Sequence, residues 1–504
     1  MSNIAPNTPV IVGVGFCQNH AQDPADCPEP YQLMAAAVRD AASNAGDATL
    51  ATKLESISVE QGMWQYKNPG KLVADEVGCP NAKSILADLG VLQLNPLFDL
   101  FDAITAGETS IGVVTGGEAK FRELRAKITG VEVSNTEQPE GTPEPDVYHP
   151  TPDPFATKIE SDAGIFMPGE LFAVIESSLR AKKGLGVEEH RDHIANLYSG
   201  FSEIASKNPH AWSQEVIPAE DIRNPVGKNA MLNFPYTKKH NAQWNVNQSV
   251  AIMVCSHAKA EELGLDSRQF IYPVSAVQSR HVNCLAEQKT FYSHLGTALA
   301  GDRAYAAAGI KNTDVDAADL YSCFPAAVQS FAYDLKLEGV CPLSVTGSMA
   351  FAGGPYNHGA LDGVARMVEV IRAGEGMGDT RYGLTSNLSG IFGKQAVAIF
   401  SNEANSNGYH FEDITDEVKA KDLPVPTSET YTGAATVAGY TVSYFKENIM
   451  HGFVYCDTPD GERVVAKSTD AALLEQMTLE EFVGKTVNIE DDRSFTAAKV
   501  TAEA

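Results

Sequence analysis

The chain has 504 residues, of which 43% are hydrophobic, and carries a formal net charge of -27. That length allows about two to four domains with large cores. The negative field repels phosphate backbones and anionic lipid, and the basic islands Lys182-Lys183 and Lys238-Lys239-His240 are too short to reverse it, so neither nucleic acid nor membrane insertion is expected. The cysteines at 17, 27, 79, 255, 284, 323, 341 and 456 stand singly, without Cys-x-x-Cys pairs or Cys/His clusters of ligand spacing. No metal is expected. Met1 to Pro9 is polar and leads straight into an apolar run, without a signal pattern or a membrane-length stretch, which places the chain in the cytoplasm on this reading.

In chain order, Val10 to Phe16 is a short apolar run with Gly punctuation, the pattern of a buried strand. Tyr31 to Gly46 repeats Leu33, Ala36, Ala37, Ala41 and Ala42 at helical spacing, and Ile57 to Val59 is a further strand candidate. A helix from Asp99 to Thr105 then ends on Ala106-Gly107-Glu108 and gives way to an apolar run closing on Gly116-Gly117. The same order recurs: Val364 to Arg372, Ala373-Gly374-Glu375, Tyr382 to Thr385 and Ser389-Gly390. Gly just past a helix accepts left-handed backbone without a Cβ clash, so the repeated Ala-Gly-Glu marks equivalent helix exits in two similar α/β halves.

Between the halves the character changes. Glu137 to Phe155 holds prolines 139, 143, 145, 150, 152 and 154 among acids, which favours extended backbone. Helices follow at Met167 to Lys182 and Val187 to Ser206, then a loop-like stretch from Arg223 to Val246 and a strand at Ser249 to Ser256. Phe270 to Val274 opens the second half, with a helix at Tyr292 to Ala308 and a strand at Asp319 to Cys323 that turns into a helix through Pro325. Beyond Ser406 the pattern alternates, at Tyr431 to Tyr444, Gly452 to Cys456 and Arg463 to Lys467, with a short helix at Leu473 to Phe482 and a last strand at Thr486 to Ile489. The expected domains are 1–125, the first part of an N-terminal half; 126–240, an inserted helical loop domain; 241–270, the end of that half; 271–405, a C-terminal half; and 406–504, an added β domain.

This ordering, the Gly116-Gly-Glu-Ala119 strand end and the Gly-rich loop Ala352 to Asn357 resemble the thiolase superfamily over roughly residues 8–405. Gly90-Val-Leu-Gln93, Asn208-Pro-His-Ala-Trp212, Pro235-Tyr-Thr-Lys238 and the C-terminal extension resemble the bacterial thiolase-like proteins of type 1, relatives of the sterol-carrier-type thiolases. The resemblance implies a duplicated α/β thiolase fold, two βαβαβαββ halves in a five-layer αβαβα core, with an inserted loop domain and a small β-rich, OB-like C-terminal domain. It also implies a homodimer with its contact near Gly90.

Thiolases make or cleave a carbon-carbon bond beside a thioester with a nucleophilic Cys, a second Cys as acid/base and two oxyanion holes. Matched to those motifs, this chain departs at nearly every chemical position. The nucleophile, about fourteen residues before Ile104, falls on Gly90; Gly-His-Pro becomes Gly353-Gly354-Pro355; the terminal Cys-x-Gly becomes Asn387-Leu388-Ser389. Only Tyr321-Ser322-Cys323-Phe324 keeps functional groups in its loop.

Tyr321, His358 and Asn387 are therefore the catalytic candidates, and Gly353, Gly354, Ser389 and Gly390 the ligand-binding ones. Tyr321 offers a phenol. His358, with Asn357 beside it, either replaces the lost imidazole by a shift along the chain or caps the helix starting near Gly359. Asn387 has an amide to donate to an oxyanion or thioester oxygen, and Ser389-Gly390 offer backbone N–H groups at a tight turn. Coenzyme A or an acyl-CoA is the expected substrate or ligand, without a tightly bound cofactor. By resemblance the activity is that of an acetyl-CoA acetyltransferase-like acyltransferase. The alternatives are a retro-aldol lyase acting on β-hydroxyacyl-CoA through Tyr, as in thiolase-fold aldolases that work with an OB-like partner domain, and a non-catalytic binder of CoA or an acyl carrier. The C-terminal domain is a candidate docking site for a protein partner.

Overall fold

The computed structural model describes residues 4–151, 153–356 and 358–497. The first half runs β1 (Pro9–Gln18), α1 (Pro30–Asn44), β2 (Ser56–Glu60), α2 (Pro69–Val77), β3 (Lys83–Ala87), α3 (Asn95–Thr105) and β4 (Ile111–Ala119). Pro30 opens α1 where its missing N–H costs nothing, and Glu29 and Gln32 close a capping box around that start. The chain then leaves the sheet through α4 (Lys120–Thr129), β5 (Val147–His149), α5 (Lys158–Ala163), α6 (Pro168–Lys183), α7 (Val187–Lys207), α8 (Ala219–Arg223), β6 (Met231–Asn233) and β7 (Tyr236–Thr237). It returns as β8 (Asn247–Ser256), a central strand buried along its whole length, and α9 (His257–Glu262).

The second half repeats the plan with β9 (Tyr272–Ser279), α10 (Leu295–Ala308), β10 (Ala317–Asp319), α11 (Pro325–Asp334), α12 (Gly359–Ala373), β11 (Tyr382–Ser389), β12 (Lys394–Ser401) and β13 (His410–Asp413). The first sheet has the order β1-β8-β4-β2-β3-β5 and the second β13-β9-β12-β11-β10. Superposing the two orders makes β9, β12, β11 and β10 the counterparts of β1, β8, β4 and β2. The counterpart of β3 is an irregular segment, whose carbonyls at Pro342 and Leu343 accept from Ala318 N at 2.9 Å and Leu320 N at 3.0 Å. The Ala-Gly-Glu repeat marks two equivalent exits: Gly107 and Gly374 follow α3 and α12 with φ of +74° and +63°.

Burial explains the layering. Leu97, Phe98 and Phe101 of α3 and Leu361, Val364 and Val368 of α12 share one apolar cluster with both sheets, so these two helices form the middle of a five-layer αβαβα stack. Helices α1 and α2 cover the outer face of the first sheet, and α10 and α11 that of the second. The Pro-rich excursion supplies β5, which pairs in parallel with β3 in the register Ile85↔Val147 and covers the edge of the first sheet.

The C-terminal part comprises α13 (Thr415–Lys421), β14 (Gly433–Phe445), β15 (Asn448–Asp457), β16 (Arg463–Ser468), α14 (Ala471–Leu479), β17 (Thr486–Ile489) and β18 (Phe495–Ala497). Its sheet also takes in β6 and β7 from the insertion, so the two regions are built on each other. Arg180 on α6, 1% exposed, binds Glu481 Oε2 at 2.7 Å and Tyr440 Oη at 2.8 Å. The expected boundary at 405/406 precedes β13, which pairs with β9 and thus belongs to the second sheet.

Candidate functional site

The N-termini of the two central helices meet, and each presents backbone N–H groups that no residue of its own helix can satisfy. Two side-chain amides fill that need. Gln93, just ahead of α3 and 6% exposed, accepts from Ala360 N of α12 at 2.8 Å through Oε1. Asn387 on β11, fully buried, accepts from Leu94 N at 3.3 Å through Oδ1. The Nε2 group of Gln93 also lies 3.2 Å from the carbonyl of Tyr356 and 3.4 Å from the Tyr321 hydroxyl. Tyr321 is held in turn by its N–H on Ser386 Oγ at 3.0 Å. Tyr321 and Asn387, far apart in sequence, are thus joined through Gln93-Leu94. Burial pushes the Tyr321 phenol well above its ordinary range, so it is a protonated donor and not a base.

Gly90 sits in the turn between β3 and α3 with φ +103°. Its carbonyl accepts from Ser389 Oγ at 2.6 Å and Lys394 Nζ at 3.1 Å, two residues that face each other across the β11–β12 hairpin. Beside this turn lies a cleft of about 590 Å³, its open mouth included, lined by Leu89, Gly90, Asp153, Phe155, Ser389 and Lys394 among others. Gly390, at the hairpin tip, is exposed and also lines it. Of the expected ligand-binding residues, Ser389 and Gly390 belong to this cleft.

Gly353 does not. It lines a separate cleft of about 620 Å³ together with His210, Gln248, Ser322, Asp362 and Arg366, and the two clefts share no lining residue. Gly354 is buried, its N–H on Gln243 O at 2.9 Å. His358 stands at the N-cap position of α12, but its ring does not cap. The imidazole is fully buried, with Nδ1 3.0 Å from Asp362 Oδ2 and Nε2 3.1 Å from Gln248 O. Both ring nitrogens are occupied by protein, which leaves none to polarise a bound carbonyl. Asn357 lies outside the described residues.

The cysteines add no nucleophile. All eight are free, and burial is the main cause that raises the pKa of each: Cys323 is pushed well up in the Tyr321 loop, and Cys284, at the Gly90 cleft, to about 12. Among the described residues no group of three or more His, Cys, Asp or Glu could hold a metal ion, and no helix is long and apolar enough to cross a membrane.

Gln93 and Lys394 are the residues that sequence reasoning left without a role. Gln93 lay inside a quoted motif, and Lys394 shortly after the Ser389-Gly390 turn; only the hairpin register brings the latter back to Gly90.

A monomeric SCP2-thiolase-like protein type 1 from Mycobacterium smegmatis superposes with a TM-score of 0.80 at 24% identity, covering 98% of this chain and 100% of the other. Residues 413–494 match the family model described as the thiolase-like protein type 1 additional C-terminal domain. This is a thiolase-fold chain carrying the type 1 C-terminal domain. An Ltp2-ChsH2(DUF35) aldolase matches with a TM-score of 0.60 at 16% identity, over 78% of this chain and 98% of that one. The Acat5 thiolase from Ascaris suum, solved with coenzyme A, matches with a TM-score of 0.53 at 13% identity, over 78% and 99%. No curated protein sequence matches the chain. The expected homodimer finds no support: the Mycobacterium smegmatis protein is described as monomeric, and β5 occupies the β3 edge beside Gly90.

Proposed function

We propose that this protein binds acyl thioesters of coenzyme A in the Gly90 cleft and does not cleave them by a covalent acyl-cysteine route. The observation that carries the reading is the Gly90 turn itself. Where the family's motif puts the nucleophile there is no side chain, and the carbonyl at that position is tied down by Ser389 and Lys394. Every thiol in the chain is held toward its protonated form, so none replaces the missing nucleophile. Recognition does not depend on a nucleophile. A cleft with apolar walls and a few placed polar groups suits a pantetheine-linked acyl chain, and the Ascaris suum relative was solved with coenzyme A. Tyr321 and Asn387 then serve as fixed hydrogen-bonding groups behind the cleft, and His358 as a strut between α12 and β8.

Titration calorimetry with CoA and butyryl-CoA tests this. Saturable binding without release of free thiol is the expected result. Thiol release, or no binding of either compound, overturns the reading. A second reading, a retro-aldol lyase on β-hydroxyacyl-CoA, draws on the Tyr321 phenol and on the aldolase likeness. Aldehyde formed by the wild type and lost in Tyr321→Phe would favour it.

A further inference from the structure

We infer that the Gly90 cleft selects thioesters whose acyl group carries a carboxylate, with Lys394 as the partner of that carboxylate. This inference rests on the thioester reading above and names the substrate class. The net charge of the chain is -27, yet the one lysine or arginine among the residues lining this cleft, Lys394, is recessed, its side chain 9% exposed. A lysine with so little access to water needs anionic or strongly polar partners. It has three: Gly90 O at 3.1 Å, Thr151 Oγ1 at 2.9 Å and Asp153 Oδ2 at 2.6 Å.

The first two are neutral and do not balance the charge. The third does, and it comes from a side chain that is 37% exposed on the Pro-rich excursion at the rim of the cleft. Asp153 thus shows what the ammonium accepts and from which direction. A ligand carboxylate that displaces it keeps the charge balance and lets Asp153 return to water at small cost, whereas an uncharged acyl chain has no means of competing for the ammonium.

The surroundings fit such a ligand. Leu89, Pro154, Phe155, Val282 and Ile391 line the same cleft and accommodate methylene groups. The ammonium lies within hydrogen-bonding distance of the Gly90 carbonyl, so a ligand carboxylate that reaches the wall of the cleft beside Gly90 meets it. Because Asp153 competes, the preference of the wild type is muted, and removing that competitor unmasks it.

Two sources of negative charge are separated by the probes. Succinyl- and butyryl-N-acetylcysteamine lack the phosphates of coenzyme A and differ in the terminal carboxylate. Calorimetry on the full chain should show succinyl bound a few-fold more tightly than butyryl, and Asp153→Asn should widen the ratio to about tenfold or more by tightening succinyl alone. Lys394→Met should abolish the ratio; Asp153→Asn, at an exposed rim position, keeps the test open if that variant fails to fold. Equal affinity for the two probes in both the wild type and Asp153→Asn overturns the inference. If Lys394→Met weakens butyryl-CoA while the cysteamine probes bind alike, the ammonium serves a phosphate and the inference is likewise overturned. Absence of binding by CoA, butyryl-CoA and both probes overturns the thioester reading, and this inference with it.

Discussion

Replacing Gln93 with Met tests whether one amide holds the two central helices in register. Methionine keeps the length and volume, so packing changes cost little. What is lost is polar. The Ala360 N–H, which Gln93 Oε1 accepts at 2.8 Å, becomes an unpaired buried donor, at a cost of about 1–3 kcal/mol. The Tyr356 carbonyl loses one donor at 3.2 Å, a smaller loss because a carbonyl has a second lone pair. The contact to Tyr321 is 3.4 Å, beyond ordinary N–H···O geometry, and adds little. The sum is about 2–3 kcal/mol. Urea unfolding at equilibrium measures it, with an unchanged slope showing that the effect is on stability. Gln93→Glu separates the donor from the acceptor: it still accepts from Ala360 N but buries a carboxylate. Its charge faces the starts of both central helices, which favour an anion, so the Glu variant should lie above the Met variant in urea unfolding. A Met variant within about 0.5 kcal/mol of wild type would refute the bridging role.

Two further outcomes follow from the same structure. Gly353 has φ +110°, and a Cβ there would run into Gln248 Oε1, whose amide is held by Ala352 O at 3.0 Å; Gly353→Ala should lower stability by about 1–3 kcal/mol, while Gly390→Ala, at φ +67° with open space around it, should cost about 1 kcal/mol, as compared by thermal unfolding. Burial raises Asp334 from 3.8 to about 7 despite its bonds from Ser293 Oγ at 2.6 Å and His294 N at 2.7 Å. The folded pKa is the higher one, so the contribution of Asp334 is present below pH 3.8 and is lost as pH rises through about 7. Asp334→Asn should remove that loss, so that stability curves of variant and wild type, measured in urea from pH 4 to 8, diverge in favour of the variant toward pH 8; parallel curves would contradict it.

The sequence disclosed what is written in periodic patterns and in single-residue punctuation. The two Ala-Gly-Glu exits mark α3 and α12 because left-handed backbone after a helix demands a residue such as Gly, whatever the tertiary context. Strands β1 and β8 are equally legible: β8 is buried throughout and β1 over its first seven residues, and each carries an apolar run across that buried stretch. Helix α2 and strand β3 escaped: Lys83 to Ala87 opens on an exposed lysine and is only partly buried, unlike the equally short but fully buried β2, and its companion helix has nine residues. Of the candidate site, Tyr321 and Asn387 were singled out through motif position, but the link between them through Gln93-Leu94 was not legible. Gln93 acts through a hydrogen bond to a helix start 267 residues away, and Lys394 through a hairpin register that turns it toward Gly90. Such roles belong to the pairing and not to the residue type, so an amide or a lysine carries no local mark of them. The same logic explains His358. Its identity invited a catalytic reading, yet Asp362 one turn along α12 and the carbonyl of Gln248 on β8 leave the ring no free nitrogen. Ligand recognition in this chain is therefore to be sought where the protein partner of a polar group is itself exposed and can be exchanged for a ligand group. The Gly90 cleft, with a recessed ammonium balanced by an exposed and replaceable carboxylate, meets that condition.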